Sequence, residues 1–273
     1  MMRFDPIRVP VRVAGSVGLT LGRLACLEAE RTLAADDRAR DDATYRWMQR
    51  LGLGILRLYG LEVTARGPYV EARAHGPASG HPRYPARDAR GRGRLFVMNH
   101  RSMLDIFVTL AFFEANMVSR ADLSSWPVMG LAARRVGTLF VDRSDKQSGA
   151  AVIRAMGDAV ERGRGVMVFP EATTFAGDEV RPFRAGAFLA AARTGAEIVP
   201  VGIAYEGQSA SWGDDESFAQ HAIRICSTRR LRIGLEIGEA IPGDRGDIEA
   251  VKALAHERVQ ALVLRARASL ERD

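Results

Sequence analysis

From Arg94 onward the chain repeats one pattern: a short β-rich apolar run, a polar loop, then a helical segment. That alternation constrains the fold more than any other feature, because each apolar run must be covered on both faces by its neighbours. The runs are Leu95–Met98, Leu139–Val141, Val166–Phe169 and Ile198–Ile203. Between them the spacing of apolar residues predicts helices over Met103–Glu114, Pro127–Val136, Gln147–Arg162 and Gly186–Thr194, the last stopped by Gly195. A further strand, Leu231–Ile237, precedes a closing helix over Ile248–Ala268, whose apolar face is Val251, Leu254, Ala255, Val259 and Leu262. The expected class is α/β, with a mostly parallel or mixed sheet flanked by helices.

Ahead of this pattern, residues 1–60 read as an N-terminal helical pair. The second helix, Ala43–Tyr59, sets Trp47, Leu51, Ile55 and Leu58 on one face, with Arg46, Arg50 and Arg57 on a stripe beside it. Such a face either packs on its own domain or lies on an anionic membrane, where each arginine is worth about 1 kcal/mol. Residues 1–60 are therefore expected to be a membrane-association segment and 61–273 the α/β domain. Leu61–Ala65 alternates like a strand. The stretch after it, rich in Gly, Pro and Arg, breaks every periodicity, so an insertion at about 68–93 is expected to be a mobile lobe. His75 and His81 fall inside it, without a Cys or third His close enough to make a metal site.

Hydrophobic residues make up 47% of the 273 and charged residues 26%, proportions that exclude a disordered, collagenous or disulfide-scaffold protein. The uncharged stretch Val13–Gly22 is far short of the roughly 20 apolar residues that a span needs, and it is too Gly-rich for a signal peptide. Cys26 and Cys226 cannot make a disulfide framework and fit a reducing compartment. The net charge of +6 comes almost wholly from arginine, the lysines being Lys146 and Lys252. A surface of that kind meets anions. Nucleic acid is disfavoured, since zinc spacing, an RNP-like strand and a helix-turn-helix are all lacking.

In sheets of this class the loops after strand C-terminal ends build the site. The loop after Met98 reads Asn99-His100-Arg101-Ser102-Met103-Leu104-Asp105. Ser102 and Asp105 have the spacing of a helix N-cap with an acidic third residue, which leaves His100 unexplained. An imidazole there can take a proton from a hydroxyl if a carboxylate fixes its tautomer, and Asp105 is near enough to do so. In the loop after Val141, Arg143 could hold a phosphate bidentately. In the loop after Phe169, Glu171 could orient hydroxyls of a polar substrate and Thr173 could add a donor.

Together these residues resemble the glycerolipid acyltransferase family, typified by 1-acylglycerol-3-phosphate O-acyltransferases. The family's N-H-x-S-x-x-D block is Asn99, His100, Ser102 and Asp105; its G-x-x-F-[IV]-x-R block is Gly137, Phe140, Val141 and Arg143. Phe169, Pro170, Glu171, Ala172 and Thr173 stand for F-P-E-G-T, and Val199-Pro200-Val201 for the late strand block. The resemblance implies that His100, held by Asp105, deprotonates a hydroxyl of a lysophospholipid, most simply lysophosphatidic acid. That oxygen attacks the thioester of acyl-CoA or acyl carrier protein. Arg143, Glu171, Thr173 and Asn99 are the implied substrate-binding residues, and neither a metal nor a bound cofactor is implied. The implied location is peripheral, on the cytoplasmic face of an anionic membrane. The usual Gly of F-P-E-G-T is Ala172, which restricts positive φ and puts head-group geometry in question. The run Pro170–Thr174, Pro182-Phe183-Arg184, Trp212-Gly213-Asp214 and His221 are similar to a subset that includes lyso-ornithine lipid acyltransferases, so a phosphate-free acceptor is the alternative. His221 and His256 otherwise read as structural or surface histidines. A thioesterase in which His100 activates water fits less well, because water needs no head-group clamp.

Overall fold

The computed structural model describes residues 5–69, 83–142, 145–207, 210–213, 216–243 and 246–272. Two N-terminal helices, α1 (Arg8–Leu33) and α2 (Asp37–Tyr59), precede β1 (Leu61–Arg66) and β2 (Leu95–Met98). There follow α3 (Leu104–Phe112), β3 (Ala115–Arg120), a 3₁₀ turn (Ala121–Ser125), α4 (Met129–Arg135) and β4 (Leu139–Val141). The chain continues through α5 (Lys146–Glu161), β5 (Gly165–Val168), α6 (Gly186–Thr194) and β6 (Ile198–Tyr205). It closes with α7 (Phe218–Ser227), β7 (Leu231–Ile237) and α8 (Ile248–Arg272).

The strands form one sheet in the order β1-β7-β6-β2-β5-β3-β4, parallel except where β6 meets β7. The fold class is the one expected. The central strands are apolar throughout because both faces are covered: β6 reads Ile-Val-Pro-Val-Gly-Ile-Ala-Tyr and is buried at all eight positions. One face carries α2, α3 and α7 against Phe96, Met98, Met167 and Ile203, and the other carries α5, α6 and α8 against Leu95, Val97, Val166 and Ile198. The helix after β2 thus covers one face and the helix after the adjacent β5 covers the other. Their C-terminal ends diverge into a crevice, the place where open α/β sheets bind ligands.

Two elements depart from the sequence expectation. The predicted helix Met103–Glu114 stops at Phe112, and the next residues make β3 (Ala-Asn-Met-Val-Ser-Arg), whose mixed composition hides a buried strand. Asn116 survives there because its amide donates to the carbonyls of Val136 (2.6 Å) and Gly137 (3.0 Å) and accepts from the Tyr45 hydroxyl (3.2 Å). Helix α7 was also not anticipated, although Ser217 and Gln220 form a full capping box at its start. Of the segment read as a mobile insertion, residues 70–82 lie outside the described residues, with His75 and His81. The part from 83 on is packed: Tyr84 and Ala86 are buried, and Tyr84 exchanges backbone hydrogen bonds with Phe112 (2.8 Å) and Glu114 (3.0 Å).

The helical pair is present, but α2 turns its apolar face inward. Ile55 is buried, Leu58 lies over Gly15 of α1, and the Trp47 indole donates to Glu30 at 2.6 Å. Arg46 pairs with that same Glu30, and Arg50 sits 4.3 Å from the centre of the Trp47 ring. The apolar face of this helix is thus used in packing within the chain. Among the described residues no helix is long and apolar enough to cross a membrane. Arg12 fixes α1 by donating to the carbonyls of Leu58 (3.1 Å), Tyr59 (2.8 Å) and Cys226 (3.1 Å), so it satisfies the C-terminal ends of α2 and α7 at once.

Helices α2 and α3 cross so closely that a Cβ on Gly52 would lie 2.6 Å from the Ala111 nitrogen and 2.9 Å from the Phe107 oxygen. Gly52→Val should therefore lower the unfolding free energy by about 1–3 kcal/mol, read from a chemical denaturation midpoint. A midpoint unchanged from the parent chain would mean that this crossing is looser than described.

Candidate active site

The loop leaving β2 is held at both ends by backbone geometry. Asn99 is fully buried; its amide donates to the Ile203 carbonyl (2.9 Å) and accepts from the Ile203 amide (2.8 Å), latching the loop to β6. Both polar atoms of that side chain are thereby engaged inside the protein. Asp105, in the first turn of α3, is also fully buried. One carboxylate oxygen accepts from His100 Nδ1 (2.7 Å), the Arg101 amide (2.7 Å) and the Ser102 amide (3.0 Å); the other accepts from the Tyr205 hydroxyl (2.5 Å). Half of the expected Ser–Asp capping arrangement forms: Asp105 accepts from the Ser102 amide, while the Ser102 hydroxyl accepts from the Leu104 amide (3.3 Å). The N-cap position is Met103, without a side-chain bond, and Asp105 reaches backward to the loop.

The bond to Asp105 requires His100 Nδ1 to carry the proton, which leaves Nε2 as the acceptor. The ring stacks on Phe169, centroids 4.2 Å apart and planes 19° from parallel, and lines the cavity described below. Its side chain is 18% exposed, whereas that of Asp105 is not exposed at all. An imidazole so oriented can accept a proton from a hydroxyl brought into the cavity.

Glu171 lies beside this site without facing it. Its carboxylate takes both oxygens to the Arg101 guanidinium (3.0 and 2.8 Å), with both side chains almost wholly buried. Arg101 also donates to the carbonyls of His100 (2.8 Å), Gly177 (2.7 Å) and Glu179 (2.8 Å), so this pair ties the loop after β2 to the loop after β5. Burial pushes the Glu171 carboxyl up, opposed by the charge and hydrogen bonds of Arg101. Ala172 takes φ +69°, the left-handed conformation that the glycine of the motif would adopt freely. The loop therefore keeps the glycine backbone at a cost in strain. Thr173 is exposed on the cavity wall. Arg143 lies outside the described residues.

Two residues that the sequence reading did not place at the site belong to it. Tyr205, at the end of β6, reaches Asp105. His221, from α7, is fully buried, stacked on Trp212 (5.0 Å, 10°), with Nε2 3.2 Å from the Ser102 hydroxyl and 3.4 Å from the Met103 amide. Burial, helped by Arg224, lowers its pKa to about 4, so it is uncharged at neutral pH and can accept both bonds at the start of α3. A buried phenol or imidazole needs a polar partner, which was the available signal, but the sequence does not say which partner.

A cavity of about 800 Å³ opens at the C-terminal ends of β2, β5, β3 and β4, within the ~300–1,000 Å³ range of small-molecule sites. On one side of the sheet it runs under the helical pair, past Leu27, Met48, Leu51, Ile106 and Leu110. On the other it reaches Val152, Ile153 and Met156 of α5, and His100, Thr173 and Arg184 are among the polar groups of its wall.

A family model described as Acyltransferase matches residues 80–204, which contain all of these loops. A 1-acyl-sn-glycerol-3-phosphate acyltransferase of Neisseria gonorrhoeae is 30% identical over 193 residues, covering 68% of this chain and 72% of its own length. The chain belongs to this acyltransferase family. A lyso-ornithine lipid O-acyltransferase of Pseudomonas aeruginosa is 28% identical over 268 residues, 95% of this chain and 94% of that protein. The crystal structure of the 1-acyl-sn-glycerophosphate (LPA) acyltransferase of Thermotoga maritima superposes with a TM-score of 0.64 over 94% of this chain and 98% of its own, at 18% identity, a likeness of fold. The protein is accordingly an O-acyltransferase.

In this acyltransferase Ala172 offers a direct test of loop strain. A left-handed alanine costs about 1–2 kcal/mol, of which glycine's greater freedom in the unfolded chain takes back about 0.4–1. Ala172→Gly should thus raise the unfolding free energy by about 0.5–1 kcal/mol with acyl transfer retained. A lower denaturation midpoint would show that residue 172 is not held at positive φ.

Proposed function

We propose that this acyltransferase moves a fatty acyl chain from a thioester, acyl-CoA or acyl carrier protein, to the hydroxyl of a lysophospholipid, most simply converting lysophosphatidic acid to phosphatidic acid. The observation that carries this reading is the His100–Asp105 pair in the wall of a largely apolar cavity, with Nε2 of His100 left free of Asp105. Nε2 takes the hydroxyl proton as the acceptor oxygen attacks the thioester carbonyl. The tetrahedral intermediate then collapses, the C–S bond breaks, the new ester C–O bond remains, and the imidazolium returns its proton to the departing thiolate. Asp105 keeps the imidazole in the required tautomer and stabilises the imidazolium. The cavity beneath α1 and α2 houses the acyl chain.

Arg143, by its place in the G-x-x-F-V-x-R block, and Thr173, on the cavity wall, are assigned to the acceptor head group. Asn99 and Glu171 serve it indirectly, the first through Ile203 and the second through Arg101, because their polar atoms are already bonded within the protein. A lyso-ornithine lipid acceptor is the second reading, favoured by the match to the P. aeruginosa enzyme along nearly the whole chain. Incubation with labelled acyl thioester and a panel of phosphate-bearing and phosphate-free lysolipids separates the two.

The site works at a membrane surface, and we assign the contact to α1 within the 1–60 segment, peripheral and on the cytoplasmic face. Between Arg12 and Arg23, which turn inward, this helix presents Val13, Val17 and Leu21 to the outside at 50, 39 and 44% exposure, below Ile7 and Val11 at 73 and 57%. Met129 and Leu131 of α4 add two further exposed apolar side chains.

His100→Ala should cut turnover by about 10²–10⁴-fold with the fold intact, and Asp105→Asn should also lose activity heavily; a loss of only a few-fold for His100→Ala sinks the assignment. In a vesicle-sedimentation assay, replacing Val11, Val17 and Leu21 by serine should weaken binding at least about tenfold, since each apolar side chain is worth ~1.5–3 kcal/mol when buried. Converting Arg46, Arg50 and Arg57 to glutamine should change binding less. The reverse ranking would return the contact to α2.

A further inference from the structure

We propose that Tyr205 is a positioning residue of the acyl-transfer site: its hydroxyl holds the second oxygen of Asp105 and thereby fixes the carboxylate that orients His100. The inference rests on the proposed His100–Asp105 pair and extends it by one residue. Asp105 is fully buried, so its charge must be solvated by donors. Three of them, His100 Nδ1 and the amides of Arg101 and Ser102, converge on one oxygen. The other oxygen has a single partner among the described residues, the Tyr205 hydroxyl at 2.5 Å. A carboxylate pinned on one oxygen can still swing about that point; a donor on the second oxygen stops it.

The strand that carries Tyr205 is suited to the task. Ile203 and Tyr205 are two apart on β6; the backbone of Ile203 grips Asn99, and the side chain of Tyr205 grips Asp105. The same strand so holds the catalytic loop at its first residue and at the first turn of the helix beyond. Behind it, α8 approaches so closely that a Cβ on Gly202 would fall 2.5 Å from the Leu262 carbonyl carbon, leaving β6 no room to shift. Burial, then the Asp105 charge, pushes the Tyr205 phenol well above its ordinary range, so it remains a donor through the working pH range.

The groups that face this carboxylate come from four elements. His100, Arg101 and Ser102 lie on the loop after β2, Tyr205 on β6 and His221 on α7; Glu171, on the loop after β5, faces it across Arg101. Arg101 is committed to Glu171 and His221 is uncharged at neutral pH, so removing the phenolic proton changes the field at His100 chiefly through Asp105. The sign follows. Without the phenol's partial positive charge the carboxylate is more basic, the imidazolium is favoured, and His100 becomes an effective base only at higher pH.

The test is the pH–rate profile of Tyr205→Phe in the full chain, with lysophosphatidic acid and acyl-CoA. A hydrogen bond to a buried charge is worth about 10- to 100-fold. We expect kcat to fall by that factor, KM for both substrates to stay within about twofold, and the acid limb to move to higher pH. Combining Tyr205→Phe with Asp105→Asn should cost less than about twofold beyond Asp105→Asn alone. Fluorotyrosine incorporated at position 205, a stronger donor of nearly the same volume, should move the acid limb to lower pH and covers the case in which Tyr205→Phe does not fold. A kcat within twofold of the parent with an unmoved acid limb overturns the proposal, as does a full-sized loss that persists beside Asp105→Asn. Should His100→Ala retain activity, the underlying pair fails; should His100→Ala be inactive while Tyr205 variants are neutral, only the role of Tyr205 fails.

Discussion

One buried charge organises this protein. The Asp105 carboxylate sits at zero exposure beside apolar strands and survives only because four donors from the loop after β2 and from β6 converge on it. Those donors come together when β2 and β6 pair in register, Leu95 opposite Ile198 through Met98 opposite Val201. The loop geometry, the start of α3 and the orientation of His100 all follow from satisfying that one group.

A second buried charge pair repeats the device nearby. Arg101 and Glu171 neutralise each other between the loops after β2 and β5, and the remaining donors of Arg101 bind three backbone carbonyls. The charged residues that mark the family are thus mostly architecture. What they leave to the substrates is a cavity lined chiefly by apolar side chains, with His100, Thr173 and Arg184 among its polar groups. That economy suits an acyl transfer in which the substrates supply both nucleophile and leaving group and the protein supplies position and a base.

The helical pair shows how packing redistributes apolar surface. Helix α2 is amphipathic, yet its apolar face is used up on α1, α3 and the cavity roof. The outer apolar surface falls to α1, which Arg12 anchors by binding the C-terminal carbonyls of α2 and α7.

Much of this was legible in the chain. The strands Leu95–Met98, Leu139–Val141 and Leu231–Ile237 and the helix Gly186–Thr194 lie where apolar runs and a stopping glycine put them, since those signals are local. The pairing of His100 with Asp105 was legible for the same reason: five residues across a strand-to-helix turn bring the two side chains together whatever surrounds them. Strand β3 was not, because its polar Asn116 and Ser119 mask a run whose burial is imposed by β5 and β4. Nor were the partners of Glu171, Asn99, Tyr205 and His221, which are separated from them by 70 to 119 positions. Local sequence determined the elements and the pairing of His100 with Asp105. Only the tertiary structure decided which polar groups face the cavity and which hold it in place, because a buried donor or acceptor takes its partner from whatever the fold brings within 3 Å, and sequence distance carries no record of that.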